Sequence, residues 1–144
     1  MILVADTSGI IAAFDRNAPE ADSCRKLLQE AGTVILSPLV LAEVDHLAGA
    51  RLGGTARGVV LNALLTQVRR MRFQVPDVTT EILETAMAVR DRYADLDLDL
   101  ADAVNVALAA DYRTDALLTL DRRAFRAIRP LTSHPAFRLM PDDA

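Results

Sequence analysis

Cysteine, lysine and tryptophan are nearly missing from this chain. The single cysteine, Cys24, can form no internal disulfide and cannot anchor a cysteine-rich zinc site. The one lysine, Lys26, lies outside any glycine-rich phosphate-loop context, which removes a P-loop nucleotidase. The two histidines, His46 and His134, are far apart, and neither sits in a zinc-protease motif. Tryptophan is absent and aromatics are 4%, so platforms for stacking bases are few. Six glycines and six prolines are too few for a fibrous or linker-like chain. The longest run without a charge, Ala31 to Ala42, has twelve residues. A membrane span needs about 20. The opening MILVAD has no basic segment before its apolar stretch, so no signal peptide and a cytoplasmic location are expected.

What remains is 144 residues, 51% of them hydrophobic, with a net charge of −4. That is one domain with a sizeable core. Residues 1–140 are expected to form it, with 141–144 frayed. Short apolar runs alternate with helical periodicity along the chain. Strands are expected at 2–5, 33–36, 73–75 and 116–120, and an edge strand at 137–140. Between them, helical patterns cover 8–14, 20–31, 38–48, the stretch through Leu61, Leu64, Leu65 and Val68, 79–93, 100–112 and 121–128. Ser37-Pro38 supplies an N-cap and first-turn proline. Repeated βα units imply an α/β fold: a central, mostly parallel sheet of four to five strands with helices on both sides.

Ligands of open α/β sheets bind at the carboxyl ends of the strands. Asp6 directly follows the first strand and Asp121 the fourth. Glu43 lies about one and a half turns into the helix after the second, inside the apolar string LVLAEV, where a carboxylate is poorly explained as solvated surface. Asp102 opens the helix that precedes the fourth strand. Asp6 and Asp121 could each be no more than a helix cap, and Asp99 fits a capping role better than Asp102 does. Brought together, the four would repel one another unless a cation neutralised them. Oxygen donors without His or Cys point to Mg²⁺ or Mn²⁺.

These strings resemble a known family. Val4-Ala5-Asp6-Thr7-Ser8 is similar to the opening motif of PIN-domain ribonucleases, and Ser37 to Asp45 (SPLVLAEVD) to their second. Leu100 to Ala109 (LADAVNVALA) resembles the third, and Leu118 to Phe125 (LTLDRRAF) the closing one. Four motifs in order over nearly the whole chain resemble above all the VapC toxins of type II toxin–antitoxin modules. The resemblance implies a PIN-like three-layer α/β/α sandwich. It also implies an Mg²⁺-dependent endoribonuclease, with Mn²⁺ as substitute, that cleaves structured tRNA or rRNA, is neutralised by a cognate VapB antitoxin and is a homodimer. Carried over by motif, Asp6, Glu43, Asp102 and Asp121 would be the catalytic metal ligands; Thr7 and Ser8 would offer a hydroxyl or backbone N–H to the substrate phosphate or to Asp6, Asn105 would orient Asp102 or contact RNA, and Arg122 and Arg123, directly after Asp121, would meet the substrate. A non-toxin nuclease of RNA processing and a catalytically silent scaffold remain open. An aspartyl-nucleophile phosphatase is set aside, because the string is Asp6-Thr7-Ser8 rather than Asp-x-Asp and no later lysine exists.

The acidic balance is compatible with RNA. Without the four proposed ligands the chain is neutral, and Arg122, Arg123, Arg126 and Arg129 cluster directly after Asp121. Arg69, Arg70 and Arg72 form a second group. A partner helix is expected between the helices at 8–14, 20–31 and 38–48, with Ile10, Ile11, Leu27, Leu28 and Val44 as candidate lining. Surplus apolar surface on the helix of Leu61–Val68 and on 79–93 suggests the dimer contact.

Overall fold

A computed structural model describes residues 1–144. Five strands form one sheet: β1 (Ile2–Ala5), β2 (Thr33–Ile35), β3 (Phe73–Gln74), β4 (Ala116–Leu118) and β5 (Arg138–Met140). All neighbouring pairs are parallel, in the order β3-β2-β1-β4-β5. Seven helices connect them: α1 (Thr7–Phe14), α2 (Ala21–Glu30), α3 (Pro38–Leu52), α4 (Gly54–Arg69), α5 (Thr80–Arg92), α6 (Leu100–Asp111) and α7 (Arg122–Ala127).

Strand alternation sorts the core into two layers. Leu3 and Ala5 of β1 join a cluster with Ile10, Cys24, Leu28, Val40, Val44 and Leu64, under α1 to α4. Val4, pointing the other way, joins Ala86, Val104, Leu108 and Phe125, under α5 to α7. β4 divides likewise, Ala116 and Leu118 against Leu117. Helices therefore cover both faces, which is why these strands read as short, continuous apolar runs.

The chain leaves β1 toward β2 on one side and returns to β4 on the other. The resulting crevice opens at the carboxyl ends of β1 and β4. Gly9 brings α1 close to this edge: a Cβ there would lie 2.6 Å from Leu118 Cγ and 2.9 Å from the Leu118 carbonyl oxygen.

Several expected details change. The helix after Ser37 runs to Leu52, and only Gly53 separates it from α4, because Gly53 takes a positive φ of 98° that turns the chain in one step. The tail makes contacts with the domain. Asp143 N–H donates to the Leu139 carbonyl at 2.8 Å, Asp143 accepts both terminal nitrogens of Arg126 at 2.6 and 2.7 Å, and Asp142 pairs with Arg122. Ile10, Ile11, Leu27, Leu28 and Val44 are all buried in the core. A cavity of about 360 Å³ lies one helix over, among α1, α2, α4 and β3, and of the five only Leu28 reaches its wall. Phe14, Arg25, Leu28, Leu64, Arg70 and Phe73 are among its walls. The apolar surplus also splits: Leu64 is buried, and the exposed Leu65 on α4 lies on the opposite layer from Leu83 and Met87 on α5. No helix is long and apolar enough to cross a membrane.

Candidate active site

One cavity of about 190 Å³ opens at the carboxyl end of the sheet, lined by Asp6, Thr7, Ser8, Glu43, Arg51, Asp99, Asp102 and Asp121, with Ile11 and Leu47. All four carboxylates expected from the sequence meet there.

Each is delivered by a different element. Asp6 follows β1, and its N–H donates to the Leu118 carbonyl at 2.9 Å, extending the β1–β4 ladder by one step. The residue is 5% exposed, and its carboxylate accepts Thr119 Oγ1 at 2.8 Å and Ser8 Oγ at 3.3 Å. Glu43 comes from α3, whose start is fixed by Ser37 Oγ accepting from Leu39 N–H at 3.2 Å and by Pro38 in the first turn. Thr7 Oγ1 donates to Glu43 Oε1 at 2.7 Å. Asp102 lies in the first turn of α6. Asp99 caps that helix, its Oδ1 accepting from Asp102 N–H at 2.8 Å. Asp121 does two jobs: it lines the cavity and caps α7, Oδ1 accepting from Ala124 N–H at 3.4 Å.

Crowding of like charges is visible in the acidities. Burial pushes Asp102 up to about 8, helped by repulsion from Asp6, Asp99, Asp121 and Glu43. Asp6 is raised to about 6, again by burial first, with repulsion from Glu43 adding to it. The Thr119 hydroxyl, the Thr7 backbone and Ser8 pull it back. The donor set is all oxygen and strongly anionic, which fits Mg²⁺ or Mn²⁺. No three of the acids stand close enough, in these rotamers, to grip one ion.

Other expected contacts resolve differently. Thr7 and Ser8 lie in the cavity wall; Ser8 meets Asp6, one of its two expected roles, while the Thr7 hydroxyl goes to Glu43 instead. Asn105 cannot touch RNA: it is 1% exposed, and neither its amide nitrogen nor its oxygen has a protein partner. Arg122 is tied to Asp142 and, at 4.0 Å, to Glu20. Arg126 is tied to Asp143. Arg123 is exposed and forms no ion pair. From the second arginine group, Arg72 donates to the carbonyls of Leu28 and Ala31 and so holds α2 to β3. Two residues escaped the sequence reading. Thr119 is 2% exposed and bonds Asp6, and it accepts Asp121 N–H at 3.0 Å. Its only signal was its place two residues before Asp121. Arg51 gave no signal, because it lies two turns beyond Glu43 at the end of α3.

A carboxylate-lined crevice where a parallel sheet reverses its strand order defines a class of metal-assisted α/β enzymes. The chain belongs to the PIN-domain family, whose family model matches residues 3–130, and within it to the VapC proteins. It is 35% identical over 130 residues to Ribonuclease VapC26 of Mycobacterium tuberculosis, covering 90% of this chain and 93% of that one. Among solved structures, Mycobacterium tuberculosis VapC20, a sarcin–ricin-loop-cleaving toxin, shares the fold with a TM-score of 0.71 at 20% identity, over 84% of this chain and 91% of that one. VapBC2 of Rickettsia felis, bound to promoter DNA, gives 0.67 at 18% identity, over 89% and 93%. A toxin–antitoxin complex from Klebsiella pneumoniae gives 0.61 at 21%, over 94% and 98%.

Proposed function

We propose that this chain is a VapC-type toxin, a divalent-metal-dependent endoribonuclease that cuts structured cellular RNA and is silenced by a VapB-type antitoxin. The observation that carries the reading is the single cavity into which Asp6, Glu43, Asp102 and Asp121 all project from separate elements. Membership of the family of Ribonuclease VapC26 supports it.

Asp6, Glu43, Asp102 and Asp121 would hold Mg²⁺ or Mn²⁺. The bound ion would polarise a phosphoryl oxygen and make water a better nucleophile at neutral pH. The protein's own part is positioning. Thr119 and Ser8 keep Asp6 aimed into the cavity, Thr7 keeps Glu43 there, and the Asp99 cap fixes the first turn that presents Asp102. In hydrolysis the water oxygen would bond to phosphorus as its proton passes to a cavity carboxylate, the bond from phosphorus to the leaving oxygen would break, and that oxygen would take up a proton from solvent.

For the partner, the groove of about 360 Å³ offers apolar walls from Phe14, Leu28, Leu64 and Phe73 with Arg25 and Arg70 at hand. It suits an amphipathic segment carrying acidic residues. A basic side chain of the same partner would fit the acidic cavity, since forked guanidinium donors match carboxylates. Both the Rickettsia and Klebsiella relatives are toxin–antitoxin complexes.

The test is incubation of purified protein with total bacterial RNA. Fragments that need Mg²⁺ and vanish with EDTA or with Asp102→Asn support the enzyme. The spacing of the acids favours one rival, a silent scaffold. That rival predicts intact RNA and no saturable Mn²⁺ binding in calorimetry.

A further inference from the structure

Among the charged residues lining the acidic cavity, Arg51 is the one base; the others are Asp6, Glu43, Asp99, Asp102 and Asp121. It stands in the last turn of α3, where a cation also meets the helix dipole favourably. Glu43, Leu47 and Arg51 follow at four-residue steps, so one face of α3 lines the cavity along its length. Despite five carboxylates around the same space, Arg51 forms no ion pair and no side-chain hydrogen bond. Its guanidinium donors are free.

The charge balance of the cavity asks for such a group. A phosphodiester brings one negative charge into a space already holding five carboxylates. One divalent ion offsets only two of them. The arginines that the sequence offered for RNA are in part committed elsewhere, since Arg122 and Arg126 each grip a tail carboxylate. Beside the cavity, a shallow depression bounded by Ala42, Glu43, His46 and Leu47 shares Glu43 and Leu47 with it. The exposed side of α3 therefore forms a continuous approach to the acids.

We propose that Arg51 seats a phosphate of the RNA backbone at the mouth of the acidic cavity, two of its N–H groups gripping two phosphate oxygens, so that RNA enters over the C-terminal end of α3. This rests on the reading of the chain as an RNA-cleaving enzyme. A planar fork suits the task better than an ammonium would.

Two arms test it. In the first, wild type, Arg51→Ala and Arg51→Lys cleave total bacterial RNA in Mg²⁺. The alanine variant should lose about ten- to hundredfold in kcat/KM, the range of a lost charge-assisted hydrogen bond, and lysine should recover part of it. In the second, binding of a fluorescein-labelled RNA hairpin is followed by anisotropy on the non-cleaving Asp102→Asn protein, with and without Arg51→Ala, across a salt series. The alanine variant should bind at least about tenfold more weakly, and the slope of log K against log salt should fall by roughly 0.7 to 0.9, the loss of one phosphate contact. Mn²⁺ affinity by calorimetry should hold or tighten, because a positive charge has left the site. Because Arg51 is exposed, the melting temperature should not move. Unchanged RNA binding and salt slope would overturn the proposal, as would Mn²⁺ affinity that falls in step with RNA affinity. If wild type leaves RNA intact, the ribonuclease reading fails, and the binding arm still decides Arg51.

Discussion

Thr119 Oγ1 donates to Asp6 Oδ2 at 2.8 Å while accepting the N–H of Asp121 at 3.0 Å. One buried hydroxyl thus joins two acids that are 115 positions apart in the chain. It also holds the pKa of Asp6 down against burial, so that the net value is raised only to about 6. Thr119→Val keeps the shape and removes the hydroxyl. The Asp6 carboxyl should then titrate above its present value, and Mn²⁺ affinity near neutral pH should fall about tenfold, recovering as pH rises. Calorimetric titrations at two pH values check this; equal losses at both would point to misplacement instead.

Asp102→Asn should lower RNA cleavage by about a hundredfold or more, several kcal/mol of lost electrostatic stabilisation, while the fold survives. Asp99→Asn should stay within about threefold of wild type, since Asn caps helices about as well as Asp. The cap is present: Asp99 Oδ1 accepts the N–H of Asp102 itself. Initial rates at saturating Mg²⁺ decide between the two acids. A dead Asp99→Asn with an active Asp102→Asn would reverse the assignment.

Metal-free protein should lose stability as pH rises. Asp6 and Asp102 are raised from 3.8 to about 6 and about 8 in the folded chain, so between about pH 4 and 8 the native state holds protons that the unfolded chain has released. Their contribution is intact below about pH 4 and is lost as pH climbs through both values. Melts in EDTA should therefore fall between about pH 5 and 8. Asp102→Asn should flatten that decline, and Mg²⁺ should raise the melting temperature more at pH 8 than at pH 5. A metal-free melting temperature that rises across this window would contradict the crowding of charges.

Asn105→Leu should raise the melting temperature. The buried carboxamide lacks protein partners at both ends, and removing an unsatisfied amide relieves about 1–3 kcal/mol of desolvation cost. At this chain length that is roughly 3 °C per kcal/mol. Calorimetry checks the sign. A drop would mean that a bound water network satisfies the amide.

Leu83 and Met87, one turn apart on α5, are 37% and 47% exposed. As the contact of a symmetric dimer they would be covered. Light scattering should give twice 15.6 kDa for wild type and 15.6 kDa for Leu83→Glu with Met87→Glu. A double variant that stays dimeric would move the contact elsewhere, with Val59 and Leu65 of α4 the next surface to mutate.

The sheet was legible because its strands, buried on both faces, are brief apolar runs ended by Asp6-Thr7 or Ser37-Pro38. The four acids were legible from their positions after strands or inside apolar helices. Less accessible were features set by three-dimensional partners. Asn105 shares a helix face with Asp102, one turn on, yet that face is covered, and spacing along one helix says nothing of what packs over it. Arg122 and Arg123 look alike in the sequence, and only the fold of the tail distinguishes the paired one from the free one. Arg51 reaches the cavity because α3 runs about one turn beyond residue 48, the end its sequence pattern predicts.

β1 lies in the middle of the sheet, although it precedes the other four strands in the chain. As the chain emerges from the ribosome, one edge of β1 can pair once β2 exists, but the other stays open until Ala116–Leu118 has been synthesised. Asp6 waits with it, since Asp102, Thr119 and Asp121 all lie in the last third of the chain. A nascent or truncated chain therefore carries the first acid of the pocket without the pocket. Whatever cutting power the protein has comes into being in one step, once the segment carrying Asp102, Thr119 and Asp121 has been made.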